Sequence, residues 1–195
     1  TNTYAGRTIV SNGWLRAKRD SALGVLPATP RADAIVLDGG TLMNDDGVIP
    51  LQIATNRGIT LTQRGGYITA GYAGETACTM VYSAITGPGS LGLVYENSPV
   101  ILMNPGNDYA GDTAIGTTGP GSVNGMRSRL RLGADEVLPH GEGKGRLIFG
   151  AVPSRSTYEL DLNGFTETVN ALIGDTKNAV ITTSVKNAGH LHVLS

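Results

Sequence analysis

Apolar residues along the chain come in short bursts, separated by Gly, Asn, Asp and Pro. Thr8-Ile9-Val10, Ala34-Ile35-Val36-Leu37, Ile59-Thr60-Leu61-Thr62, Leu91-Gly92-Leu93-Val94, Leu130-Arg131-Leu132 and Glu159-Leu160-Asp161-Leu162 are examples. Many alternate apolar with polar and favour Val, Ile, Leu and Thr, the period-two pattern of strands with one buried face. No window of about eleven residues carries a 3.6-residue apolar stripe. Residues 16–23 are the best helical candidate, a short turn at most. The pattern predicts an all-β chain with strands every 8–12 residues or so. That spacing suits a sandwich, a barrel or a β-solenoid. Strands as short as Leu147-Ile148-Phe149, set between glycine corners, favour the solenoid.

Internal repetition points the same way. Asn2-Thr3-Tyr4-Ala5-Gly6-Arg7-Thr8 matches Asn107-Asp108-Tyr109-Ala110-Gly111-Asp112-Thr113 at Asn, Tyr, Ala, Gly and Thr, at an offset of 105 residues. Val25-Leu26-Pro27 recurs as Val137-Leu138-Pro139, and Ile35-Val36-Leu37 as Leu147-Ile148-Phe149, both at an offset of 112. A seven-residue insertion within residues 116–125 accounts for the change. The expected organisation is one solenoid domain over residues 1–195, built from quasi-repeats at about 1–104 and 105–195. Written tail to head, Leu191-His192-Val193-Leu194-Ser195 followed by Thr1-Asn2-Thr3-Tyr4 reproduces the internal junction from Val100 to Tyr109. The last edge of one unit is therefore expected to continue into the first edge of the next. The junction residues would be Thr1, Asn2, Thr3, Tyr4 and Gly6 on one side, and His190, Leu191, His192, Val193, Leu194 and Ser195 on the other. The chain opens on Thr1 rather than Met, which suggests a processed chain or an excerpt of a longer one.

Composition narrows the classes. Glycine accounts for 28 of 195 residues, about twice the usual share. Disorder does not follow, because 40% of residues are hydrophobic and net charge is −1, whereas disordered chains are apolar-poor and highly charged. Near-zero charge also argues against nucleic acid as a partner. No apolar run approaches the roughly 18 residues of a membrane span, so this segment is not expected to insert into a bilayer. A single cysteine, Cys78, leaves no intrachain disulfide and reads as a small buried residue.

Few residues suggest chemistry. Gly87-Pro88-Gly89-Ser90-Leu91-Gly92 has dinucleotide-loop spacing, but an apolar strand pattern follows where a helix is needed. Gly141-Glu142-Gly143-Lys144-Gly145 lacks the spacing of a phosphate loop. Asn44-Asp45-Asp46-Gly47 lacks the distal Glu of a calcium loop and reads as an exposed Asx turn. Asp33, Asp38 and the Asp45-Asp46 pair would suit a glycan-cleaving groove only if two of them faced each other. Arg127, Arg129 and Arg131 share one strand face as a basic ladder, able to meet an anionic glycan or a neighbouring filament, or simply to face solvent. His190 and His192 share a strand face but have no third ligand nearby in sequence. No catalytic, cofactor-binding or metal-ligating residue is assigned, and the chain is not expected to be an enzyme.

These pieces resemble the autotransporter-associated β-strand repeat of bacterial passenger regions. That pattern runs Asn-x-Tyr-x-Gly-x-Thr, Gly-x-Leu, Ala-Leu-Gly, and here reads Asn2 to Thr8, Gly13-Trp14-Leu15 and Ala22-Leu23-Gly24. Ile85-Thr86-Gly87-Pro88-Gly89-Ser90-Leu91, Asp38-Gly39-Gly40-Thr41-Leu42 and Asn56-Arg57-Gly58-Ile59-Thr60-Leu61 resemble other recurrent elements. The resemblance implies a right-handed parallel β-helix displayed outside the cell or on its surface. At roughly 20–22 residues per coil it would have about nine coils. The expected role is a structural subunit or segment extending a surface fibre by head-to-tail stacking of strand edges. Its partners would be itself or flanking repeats of a longer chain. The alternatives are an adhesin passenger segment that binds a host or glycan ligand, and a polysaccharide-active β-helix.

Overall fold

The computed structural model describes residues 2–71, 74–94, 97–116, 127–150, 157–174, 178–186 and 188–194. The strands in chain order begin with β1 (Thr8–Ser11) and β2 (Trp14–Ala17), after which a single 3₁₀ turn covers Asp20–Leu23. Next come β3 (Arg31–Asp38), β4 (Thr41–Asn44), β5 (Leu51–Ile53), β6 (Arg57–Leu61), β7 (Gly66–Thr69) and β8 (Thr79–Val81). The middle holds β9 (Ile85–Gly87), β10 (Leu91–Leu93), β11 (Val100–Leu102), β12 (Asp108–Tyr109), β13 (Thr113–Ile115) and β14 (Arg127–Leu132). The chain closes with β15 (Leu147–Phe149), β16 (Thr157–Asp161), β17 (Thr166–Val169), β18 (Leu172–Gly174), β19 (Ala179–Thr182) and β20 (His190–Val193). No α-helix occurs among the described residues, and no helix there is long and apolar enough to cross a membrane.

All strand-to-strand ladders are parallel, and each strand pairs with the strand one coil away rather than its sequence neighbour. The first sheet runs β1-β3-β6-β9-β12, the second β2-β4-β7-β10-β13-β15-β18 and the third β5-β8-β11-β14-β16-β19, with β17-β20 as a separate pair. This is a parallel β-solenoid. Seven strands stack in the second sheet, so the chain makes about six turns rather than nine. At about 4.8 Å per coil the rod is roughly 30 Å long. The expected coil of 20–22 residues is too short because the corners are not uniformly tight. Thr8 lies opposite Ile35, Leu91 opposite Thr113 and Thr113 opposite Leu147, which are steps of 27, 22 and 34 residues. Loops leave the coil at its corners and lengthen it without changing the stacking.

Inward residues form columns, and the columns explain the bursts. Leu42, Ile68, Leu93, Ile115 and Phe149 stack in register through the second sheet. Ile53, Val81, Leu102 and Leu132 do so through the third. All of these are buried. Each such side chain contributes about 1.5–3 kcal/mol when fully removed from water. A strand of three residues presents only one or two inward positions, so small aliphatic residues that repeat from coil to coil suffice.

The repeated Asn-x-Tyr-x-Gly-x-Thr motif has a local structural cause. The Tyr4 hydroxyl hydrogen-bonds the Thr8 hydroxyl at 2.7 Å, and Tyr109 makes the same contact with Thr113 four residues on. Tyr109 is buried whereas Tyr4 is exposed, and burial pushes the Tyr109 phenol well above its ordinary range. The matched segments lie on different sheets: Ile35 to Leu37 belong to β3 of the first sheet, and Leu147 to Phe149 form β15 of the second. Val25 and Leu26 are exposed, while their matches Val137 and Leu138 are buried. The insertion within residues 116–125 lies almost wholly outside the described residues.

Candidate functional site: the ends of the solenoid and its flanks

The first edge is made by residues 2–4, which run beside residues 21–25. The Asn2 N–H donates to the Ser21 carbonyl at 3.0 Å, its side-chain amide to the Ala22 carbonyl at 2.6 Å, and the Val25 N–H to the Tyr4 carbonyl at 2.8 Å. This strap lies below the 3₁₀ turn, where Leu23 is buried. Asn2, Thr3, Tyr4 and Gly6 are exposed on it. Tyr4, Val25 and Leu26 give the edge an apolar surface.

The opposite end is more open. Leu147, Leu160 and Val169 are 1%, 0% and 3% exposed, but their next-coil partners Leu172, Ile181 and Val193 are 39%, 42% and 50% exposed. These inward positions have no further coil stacked on them. Leu172, Gly174, Ala179 and Ile181 line an open cleft of about 360 Å³ whose floor includes Phe149. β20 is the last rung: His190, Leu191, His192 and Val193 lie opposite Thr166, Glu167, Thr168 and Val169. The Leu194 N–H closes the ladder on the Val169 carbonyl at 2.9 Å. His190 and His192 are exposed, with ring centroids 6.4 Å apart. The predicted junction residues thus fall on the two opposite ends, apart from Thr1 and Ser195, which lie outside the described residues.

The flanks show internal pairing. Arg127, Arg129 and Arg131 do share a face, but that face is not a free cationic ladder. Arg129 reaches Glu159 at 3.0 Å and also binds Glu75; Arg131 reaches Asp161 at 2.7 Å and Glu75 at 2.9 Å; Arg127 lies 3.9 Å from Glu159. Glu75 arrives from the loop between β7 and β8, so the loop is clamped across the sheet. Burial alone would raise the Asp161 carboxyl, but the Arg131 guanidinium and the Ser184 and Asn163 N–H groups outweigh it and hold it below the usual range. A carboxylate with a depressed folded-state pKa stabilises the fold above its ordinary pKa, and that contribution is lost as pH falls through the folded value. Stability should therefore drop below about pH 4. Urea melts across pH should show this, with Asp161→Asn flattening the acid limb.

Asp33, Asp38 and Asp46 are likewise tied up locally. Asp33 is held by Arg31 and Arg7, Asp38 by Thr62 and Arg64, and Asp46 by the Ile49 and Val48 N–H groups. Each is held below the ordinary carboxylate range, the opposite of what a general acid requires. Asn44 is buried and donates to the Ile49, Ala77 and Cys78 carbonyls, while its Oδ1 accepts the Asp46 N–H, as an Asx turn does. The Gly87 to Gly92 stretch joins β9 to β10, a strand where a dinucleotide site needs a helix. Cys78 is buried, and burial pushes its thiol up, away from thiolate reactivity.

One cluster was not read from the sequence. The Val137 and Leu138 N–H groups donate to the two carboxylate oxygens of Glu167 at 3.0 and 3.2 Å. Glu136 accepts the Thr168 N–H at 2.8 Å and the Thr168 hydroxyl at 3.0 Å. His140 Nδ1 lies 3.7 Å from Glu136 Oε2. Burial pushes the Glu167 carboxyl up to about 8, with the Glu136 charge adding to the rise against the lowering backbone N–H bonds. Glu136 and His140 stand four apart in sequence, but Glu167 joins them only through the local coil step of 30 residues, the step that sets Leu130 opposite Leu160.

The chain is similar to part of an autotransporter adhesin. It is 30% identical over 158 residues, 80% of this chain, to the Adhesin BmaC autotransporter of Brucella suis biovar 1 (strain 1330). The chain spans only 4% of that protein's length. No family model matches the chain, and no solved structure matches it. The solenoid and this similarity together fit a β-helix of the passenger type.

Proposed function

We propose that the chain is a segment of an exported, surface-displayed β-helix, and that it extends this helix by continuing coil onto coil at its ends. Its role on this reading is structural, not enzymatic. The observation that carries the reading is the uncovered last coil: Leu172, Ile181 and Val193 occupy core positions yet face solvent. Exposed core positions favour burial under another coil, since apolar area removed from water contributes about 25 cal/mol per Å². β20 also carries unpaired edge N–H and C=O groups among the described residues, which template a further strand. At the other end, Tyr4, Val25 and Leu26 offer an apolar surface to meet it. Similarity to a small part of a much longer autotransporter adhesin supports a segment within a long rod.

The test is the length distribution of the purified chain by electron microscopy and light scattering as concentration rises. Rods in multiples of roughly 30 Å are expected. Ile181→Asp, at an exposed position, should leave the circular dichroism spectrum unchanged and reduce the population to single rods. Wild-type chain that stays single at every concentration, or an unchanged length distribution in the variant, would refute end-to-end continuation. The relative's name favours a second reading, an adhesin segment that contacts a host or glycan ligand through its loops. Retention on a glycan panel by single rods of the Ile181→Asp variant would favour it.

A further inference from the structure

We infer that Glu136, His140 and Glu167 form a site for one divalent transition-metal cation of the Zn²⁺ class, at the seam between residues 136–140 and β17. One potential ligand atom from each of the three residues lies within 4.8 Å of the other two. A zinc ion takes His nitrogen and carboxylate oxygen at about 2.0–2.2 Å, so two donors of a tetrahedral set stand about 3.4 Å apart. Closing the set would turn the exposed His140 ring away from the Leu138 carbonyl and draw the half-exposed Glu136 carboxylate off its bonds to Thr168. An imidazole with two carboxylates suits zinc and its neighbours rather than calcium or magnesium, which prefer oxygen alone. Three protein ligands leave a fourth position for water, and the exposed side of His140 gives a path from solvent.

The independent observation is Glu167 itself. It sits on the core side of β17, opposite Leu191, and is 0% exposed. Among the described residues no Lys, Arg or His forms an ion pair with it; the His140 contact is with Glu136. A buried carboxylate without a cationic partner is costly, and two backbone N–H groups offset only part of that cost. The other buried acidic side chains among the described residues, Glu159 and Asp161, each have an arginine. A bound cation supplies at Glu167 the charge that Arg129 and Arg131 supply there.

The seam also needs such a clamp. Residues 136–138 fill the rung between β12 and β17 without forming a strand. Their links are the Glu136 N–H to the Thr166 carbonyl at 3.0 Å, the Asn107 side-chain amide to the Val137 carbonyl at 2.8 Å, and the two N–H bonds to Glu167. A cation bridging Glu136 and His140 to Glu167 would fasten this irregular rung to the coil above.

The experiment is calorimetric titration of chelator-stripped chain with ZnCl₂, followed by Co²⁺ absorption spectroscopy. One Zn²⁺ per chain is expected, with a raised melting temperature and a Co²⁺ visible spectrum of tetrahedral intensity. His140→Ala and Glu136→Gln, both at solvent-facing groups, should each weaken binding by at least about tenfold. The double variant His190→Ala, His192→Ala should bind as the wild type does. Absence of saturable one-to-one binding would overturn the proposal. So would binding abolished in the His190/His192 variant and retained in His140→Ala, since that places the cation on the terminal histidine pair instead.

Discussion

Replacing Arg57 with alanine should destabilise the chain by about 3–5 kcal/mol, the range for removing one partner of a buried ion pair. Arg57 opens β6 and is only 2% exposed. Its guanidinium grips Asp20 with two bonds, Nε to Oδ1 at 2.9 Å and Nη2 to Oδ2 at 3.1 Å. The same group donates to the Leu23 carbonyl at 2.6 Å and the Gly24 carbonyl at 3.0 Å. These are the end of the 3₁₀ turn, which takes the place of a strand in the first coil. Asp20 in turn accepts the Ala54 N–H at 3.2 Å. One side chain thus fastens the turn to the coil above and satisfies carbonyls that no ladder reaches. Without it, a mostly buried carboxylate keeps only the Ala54 N–H, and two carbonyls lose their guanidinium donor at the same time. A domain of this size has only about 5–15 kcal/mol in hand, so the first coil should fray and expose Leu23. Arg57→Lys should recover little, because an ammonium cannot make the forked contact. Urea melts read this directly. A loss below about 1 kcal/mol would mean that the 3₁₀ turn is held by apolar packing alone.

What could be read from the sequence was what one strand imposes on its own residues. Leu147-Ile148-Phe149 and Val100-Ile101-Leu102 are strands because a glycine or proline corner precedes or follows each burst and an inward position repeats. The 3₁₀ turn at Asp20–Leu23 falls within the one segment with helical character. Hidden from the sequence was everything that depends on coil length. A step of 22 residues at Leu91 and of 34 at Thr113 cannot be told apart from the bursts themselves, because corner loops carry no periodic signal. The count of coils therefore came out high. The same blindness concealed Glu75 from Arg129 and Arg131, which lie 54 and 56 positions away in sequence yet share its carboxylate. It also separated Glu167 from Glu136 and His140. Alternation correctly put the three arginines on one face; only the neighbouring coils could show that the face is neutralised.

Gly87→Ala should cost more than about 3 kcal/mol, while Gly47→Ala should lie near zero or stabilise slightly. Gly87 ends β9, opposite Tyr109 of β12, with a φ of 110°. A residue with a Cβ is strained in that conformation, by about 1–3 kcal/mol. The added carbon would also run into the Leu61 carbonyl oxygen, with the Leu61 backbone carbon and nitrogen at 3.0 Å. That neighbour cannot yield, because Leu61 is a buried rung of the adjacent coil and its backbone is locked in the first sheet. The coil would have to separate at β6-β9, also weakening the bond from the Ala110 N–H to the Gly87 carbonyl at 2.9 Å. Gly47, by contrast, has nothing within 4 Å of an added Cβ and no positive φ. There, alanine only reduces the freedom of the unfolded chain, a gain of about 0.4–1 kcal/mol. Paired denaturation curves of the two variants decide the matter. Comparable stability would mean that coil spacing at β9 adjusts freely, and that the glycine there is dispensable. A wide gap means that the high glycine content has two causes, close approach of stacked coils at Gly87 and mere turn-making at Gly47, which composition alone cannot separate.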